Sequence, residues 1–194
     1  ISTRDWSSDV CSSDLAVFSG AGEGVSLFSS FAALLSLNLS GKYKGISQII
    51  SWSALDEQAH SDGGIALFKD LCKEEPLTEE ETNEIFEGFQ QVVQNEYAFI
   101  DKIFENRSLL NITAYDLKQY ILYRANERLR SLGIDRSFLY DAEGANRIKD
   151  WFHPLMAGST STDFFAQQKD GSNYISKPTQ DFKSVDRKST RLNS

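Results

Sequence analysis

The chain has little with which to cross-link itself. Of its 194 residues only two are cysteines, Cys11 close to one end and Cys72 in the interior. One interior thiol cannot close an internal disulfide, which fits a reducing cytoplasm, the location expected here. Cys72 ends an expected helix with no activating base nearby, so a catalytic thiol is not expected. Positive charge is also scarce: 20 Lys and Arg face 28 Asp and Glu, for a net charge of −8. No basic stripe interleaved with aromatics is present, so a nucleic-acid partner is not expected. No apolar run of membrane-spanning length is apparent and nothing reads as a secretion signal, so no membrane partner is expected either. The alternating pattern of strands is missing, as are repeats and low-complexity blocks. Gly22 and Gly24 make no phosphate loop, because no Lys-Ser/Thr pair follows them.

Helical punctuation is what the sequence does have. A first helix is expected over residues 17–39 and a second over 45–72, after which Glu74-Glu75-Pro76 breaks the chain. Thr78 then caps a third helix, with Glu81 placed to complete a capping box. Its apolar positions Ile85, Phe89, Val92, Phe99, Ile103 and Phe104 run to about Glu105. Thr113 caps a fourth, carrying Leu117, Ile121, Leu122, Leu129 and Leu132, and Gly133 stops it. A shorter helix follows over 146–157, and from Gly158 onward the chain turns polar and irregular, with Pro178. The expected class is all-α.

Two of these helices carry charge where apolar residues belong. The inward stripe of the first is expected to read Gly20, Glu23, Leu27, Phe31, Leu34, Asn38; that of the second reads Ile46, Ile49, Ser53, Glu57, His60, Gly64, Leu67. A carboxylate on a buried stripe is costly unless something pairs with it. The connection from Leu39 to Gly45 is short enough to impose an antiparallel hairpin. Glu23 lies nineteen residues before Lys42 at its middle, and His60 eighteen after it. At about 1.5 Å per residue both reach the same depth, and Glu57 sits one turn from His60 on the same face. Carboxylate-bridged two-metal sites in helix bundles take one Glu from each of two helices and a Glu-x-x-His from each of two others. This hairpin offers half of that set, so Glu23, Glu57 and His60 are candidate metal ligands.

Other polar residues read more plainly. Glu96 lies among apolar neighbours and is expected to act as a buried acceptor for backbone or tyrosine hydrogen bonds. His153, before Pro154, is expected to make a structural contact. Packing and solvated charge account for Tyr120, Tyr123, Arg124 and Arg128.

The two ends have a common explanation. Residues 5–14 and 186–194 can be encoded by one stretch of DNA read on opposite strands, a stretch that resembles a sequencing adapter. Residues 1–15 and 186–194 are therefore expected to be adapter-derived and are set aside from the fold. Between them lies an internal fragment of a longer protein, with a helical domain over 16–160 and an irregular segment over 161–185. The charges of the two flanks cancel, so the interior carries the same −8.

Glu23-Gly24-Val25-Ser26-Leu27-Phe28-Ser29-Ser30-Phe31 resembles a metal-ligand helix of the small, radical-generating subunit of class I ribonucleotide reductase. Gly41-Lys42-Tyr43-Lys44-Gly45 resembles the connecting turn of one bacterial and phage branch. Trp52-Ser53-Ala54-Leu55-Asp56-Glu57-Gln58-Ala59-His60 is similar to the family's Asp-Glu-x-x-His helix. Gln119-Tyr120, Tyr123, Asn126, Arg128, Gly133, Asn146, Trp151 and Asp163-Phe164-Phe165 also fall in its pattern. Leu55 departs from it, standing where a basic residue is usual, and Ser53 replaces a bulkier apolar residue.

The resemblance implies a ferritin-like bundle and a ribonucleoside-diphosphate reductase subunit that uses oxygen to generate the radical needed for deoxyribonucleotide synthesis. It implies a dinuclear iron centre, or manganese/iron, or dimanganese, to which Glu23, Glu57 and His60 give three of six ligands. Asp56 would orient a ligand imidazole on a helix absent from this chain and take part in radical transfer. Leu27, Phe31 and Ser53 would line the apolar pocket around the radical side chain. The implied partners are the large reductase subunit and, in the full-length protein, a second copy as a homodimer. The fragment itself is not expected to be active. Another carboxylate-bridged di-iron oxidase or hydroxylase, or a non-catalytic ferritin-like metal-binding protein, stays open as an alternative.

Overall fold

A computed structural model describes residues 12–41, 43–106, 109 and 111–160. The described residues up to Ser159 belong to one compact unit. The irregular segment expected over 161–185, the flank 186–194, Asp163-Phe164-Phe165 and the first eleven residues lie outside the described residues. Of the first flank, Ser12 to Leu15 are described and form the opening turn of helix α1 (Ser12–Ala16).

The described residues form an all-α fold with no strand; a lone bridge pairs Leu109 with Ile112. Helices α4 (Lys44–Glu74), α5 (Glu79–Phe104), α6 (Ala114–Leu132) and α7 (Ala142–Thr160) are the long elements. Their ends follow local chemistry. Thr78 and Glu81 close the expected capping box, Glu81 N–H donating to Thr78 Oγ1 at 3.1 Å and Thr78 N–H to Glu81 Oε2 at 2.7 Å. Asp116 N–H donates to Thr113 Oγ1 at 3.1 Å, and Gly133 ends α6 at φ 82°. Helix α7 begins earlier than expected because Asp141 Oδ1 accepts the Glu143 N–H at 3.0 Å and caps its first turn.

The first helix is not the continuous rod expected over 17–39. Helix α1 widens into a π-turn (Val17–Gly22), which leads to α2 (Glu23–Val25). The chain then breaks at Ser26, with ψ 145°, and Leu27, with φ 70°, before α3 (Phe28–Ser36) and a 3₁₀ turn (Leu37–Ser40). Hydrophobic period cannot register such a break, because the apolar residues on either side still face the core.

A second correction concerns membranes. Residues Ser13–Ser40 do contain a window long and apolar enough to span one by length and composition, with mean hydropathy 1.2. In the protein 61% of that window is buried, and the Ser26–Leu27 break falls inside it, so it forms part of the core.

A third correction concerns which face of α4 turns inward. Its buried positions are Ser47, Ser51, Ala54, Ser61, Ile65 and Phe68. Small side chains there let α2 and α3 approach its backbone closely, and Phe68 reaches the core formed with Phe28, Phe31, Leu35, Ile85 and Phe89. The stripe expected to be inward instead faces out: Ile46, Ile49 and Leu67 are exposed, as are Ser53 and His60. On the preceding segment Gly20 and Phe31 are buried, whereas Leu27 and Leu34 are exposed. The residues expected to line an apolar pocket therefore separate. Phe31 packs edge-on to Phe28 at 5.4 Å, while Leu27 and Ser53 lie on the open face.

Candidate metal centre

The three candidate ligands converge. Glu23, at the start of α2, meets Glu57 and His60, one turn apart on α4, with one ligand atom from each within 4.8 Å of the others. His60 Nδ1 lies 3.6 Å from Glu23 Oε2 and 3.8 Å from Glu57 Oε2. The two glutamates are partly buried, but the imidazole is 65% exposed, so the cluster forms the floor of an open face instead of a sealed interior. Asp56, next to Glu57, is exposed and stands outside the cluster.

The charge balance of the cluster is compatible with a bound cation. A hydrogen bond to Glu23 is the largest influence on Glu57, followed by burial and the Glu23 charge; together they raise the Glu57 pKa above its ordinary 4.5, against the pull of His60. Two crowded carboxyl groups thus favour positive charge between them. A divalent ion would supply that charge. Bonds of about 2.1 Å at 90–110° place ligand atoms roughly 3.0–3.4 Å apart, so small side-chain rotations would suffice to gather these three around one ion. Two carboxylates and one imidazole suit iron or manganese, and three donors leave positions open.

The backbone around the site is held from both sides. Arg124 Nη2 on α6 donates to Gln58 Oε1 at 2.7 Å, and Arg128 Nη1 donates to Asp62 Oδ1 at 2.6 Å. Gln58 Nε2 closes the square by donating to Asp62 Oδ1 at 2.8 Å. These bonds fix the turn of α4 that presents Glu57 and His60. Under α2, a methyl group at Gly24 would come 2.7 Å from both Arg128 Cδ and Ser61 Oγ, so only glycine lets the Glu23 turn approach α6 and α4 this closely.

Arg124, for which packing and solvated charge are expected, is buried, its guanidinium stacked 3.2 Å over the Phe28 ring. Burial, the dominant influence, lowers its pKa to about 10. No periodicity separates a buried arginine from an exposed one. Glu96 meets its expectation as a buried acceptor, taking N–H groups from Leu27 and Ser29. His153 makes the expected structural contact, with Nε2 3.4 Å from the hydroxyl of fully buried Tyr120, whose pKa burial pushes up to about 12.

With this geometry in hand, relatives become informative. Residues 3–144 match the family described as "Ribonucleotide reductase, small chain". The chain is 32% identical over 176 residues to the "Probable ribonucleoside-diphosphate reductase small subunit 376L" of Invertebrate iridescent virus 6, covering 78% of this chain and 48% of that protein. It is 34% identical over 155 residues to the "Probable ribonucleoside-diphosphate reductase small subunit 048L" of Invertebrate iridescent virus 3, covering 78% of this chain and 40% of that one. The chain thus spans about half the length of the curated relatives it matches, or less.

Proposed function

Because the chain belongs to the ribonucleotide reductase small-chain family, we propose that it is a portion of a ribonucleoside-diphosphate reductase small subunit. In that subunit Glu23, Glu57 and His60 hold part of a dinuclear iron or manganese centre. The observation that carries this reading is the convergence of those three side chains, drawn from two separate helical segments, within 4.8 Å. The portion of the subunit beyond this chain would supply the remaining ligands and cover the open face bearing Ile46, Ile49, Ser53, Leu67 and Leu27. Once covered, the part of that face bearing Leu27 and Ser53 would line the dry pocket a radical side chain needs, with Phe31 held in the core against Phe28. Asp56, exposed here, would then meet a ligand imidazole from the covering helices and orient it. The partners proposed for the whole subunit are the large reductase subunit and a second copy of itself. The adapter origin of residues 1–15 and 186–194 belongs to the same proposal.

When bound, the metal pair supplies oxygen activation and one-electron oxidation of a nearby side chain. This chain's residues do the preparatory work. Glu57 and Glu23 bring two carboxylates close together, a charge density that entering cations would neutralise. His60 already presents Nδ1 to both carboxylates, and the Gln58–Arg124 and Asp62–Arg128 bonds hold the α4 turn that carries it.

Metal analysis of the full-length subunit tests the reading: two ions per chain are expected, and unchanged occupancy in Glu57→Ala would remove Glu57 as a ligand. The 194-residue chain alone should give no stable tyrosyl signal in electron paramagnetic resonance, and such a signal would contradict this assignment.

A further inference from the structure

Glu96 accepts hydrogen bonds that a continuous helix would have used elsewhere. In an unbroken helix the Leu27 N–H would donate to the Glu23 carbonyl and the Ser29 N–H to the Val25 carbonyl. Here the Leu27 N–H donates to Glu96 Oε1 at 3.1 Å, and Ser29 donates to Glu96 Oε2 through its N–H at 3.2 Å and its hydroxyl at 2.5 Å. The acceptor comes from the middle of α5, is buried, and caps the start of α3 from another helix. The N-cap residue Leu27 has no side-chain oxygen, sits at φ 70°, and so depends on this outside acceptor.

We propose that Glu96 is a positioning residue for the metal ligand Glu23. By drawing off the Leu27 and Ser29 N–H groups it holds the chain broken four residues after Glu23, and the break sets the angle at which α2 presents that carboxylate to Glu57 and His60. Without the acceptor, the Leu27 N–H returns to the Glu23 carbonyl, α2 and α3 join into one helix, and Glu23 turns away from its partners. The inference rests on the metal reading of Glu23, Glu57 and His60.

The test is titration of the 194-residue chain with Mn²⁺, followed with amide hydrogen exchange at Leu27 and Ser29. Glu96→Gln, which keeps one acceptor oxygen, and Ser29→Ala, which removes a single contact, guard against a Glu96→Ala chain that fails to fold. Asp116→Asn, which breaks the Asp116–Arg147 pair between α6 and α7, controls for lost stability alone. Expected are faster exchange at both amides and Mn²⁺ binding weaker by about tenfold in Glu96→Gln, less in Ser29→Ala, with Asp116→Asn melting earlier but binding normally. Wild-type binding that persists within about twofold in both Glu96→Gln and Ser29→Ala would overturn the positioning role alone. Absence of saturable Mn²⁺ binding by the wild type would overturn the metal reading and this inference with it.

Discussion

His60 Nδ1 stands 3.6 Å from Glu23 Oε2, a contact between α4 and the short α2 turn that the hairpin folds back against it. As an ion pair it would add little, because the imidazole is 65% exposed and water screens it. Its significance is geometric. It brings a nitrogen donor to two oxygen donors, on backbone held by Arg124, Arg128 and the glycine at 24.

Removing the imidazole should therefore act on cations before it acts on folding. His60→Ala is expected to bind Mn²⁺ at least about tenfold more weakly than wild type, by calorimetric titration, with a melting temperature nearly unchanged. Equal affinities would exclude His60 from the site.

Replacing Gly24 should disturb the ligands and the packing together. A Cβ 2.7 Å from Arg128 Cδ and from Ser61 Oγ forces α2 outward, so Gly24→Ala is expected to lose about 1–3 kcal/mol by denaturant unfolding. Mn²⁺ binding should weaken in parallel; a variant as stable as wild type would show that the contact gives way easily.

Arg124 should matter more for the volume it fills than for its charge. Arg124→Ala opens a cavity beside Phe28 and is expected to cost about 2–4 kcal/mol, whereas Arg124→Met, which refills it, should cost under about 1.5 kcal/mol. Similar losses in both would instead assign the stabilisation to the Gln58 hydrogen bond.

His153 should give the chain an acid-sensitive step. Burial first, then the charges of Arg124 and Lys149, lower its pKa below the ordinary 6.5, against the opposing pull of Glu127 and Asp150. A base held neutral by the fold supports stability that is complete above pH 6.5 and is lost as pH falls through the depressed value. Melting temperature should fall between about pH 7 and pH 5, and His153→Gln should flatten that slope. Parallel slopes in the two proteins would rule the imidazole out as the cause.

Much of the helical outline was legible because caps are local. Thr78 with Glu81, Thr113 with Asp116, and Gly133 lie within a turn of the groups they satisfy, so a short stretch of sequence contains both partners. The depth match of Glu23 with Glu57 and His60 was legible too, since a short connector and a fixed rise per residue set it. Even the acceptor role of Glu96 followed from a carboxylate among apolar neighbours, although its donors did not.

The rest depended on contacts between residues distant in the chain. The break at Leu27 exists because a carboxylate from α5 takes its N–H. The inward face of α4 was decided by Ser47, Ser51, Ala54 and Ser61, whose smallness admits neighbouring backbone while adding little hydrophobic signal. Arg124 became buried because Phe28 and Gln58 together receive its guanidinium. Sequence alone determined the ends capped by Thr78, Thr113 and Gly133 and which three donors could meet. Tertiary packing decided which way each helix faces, because facing is a property of the neighbours that close around it.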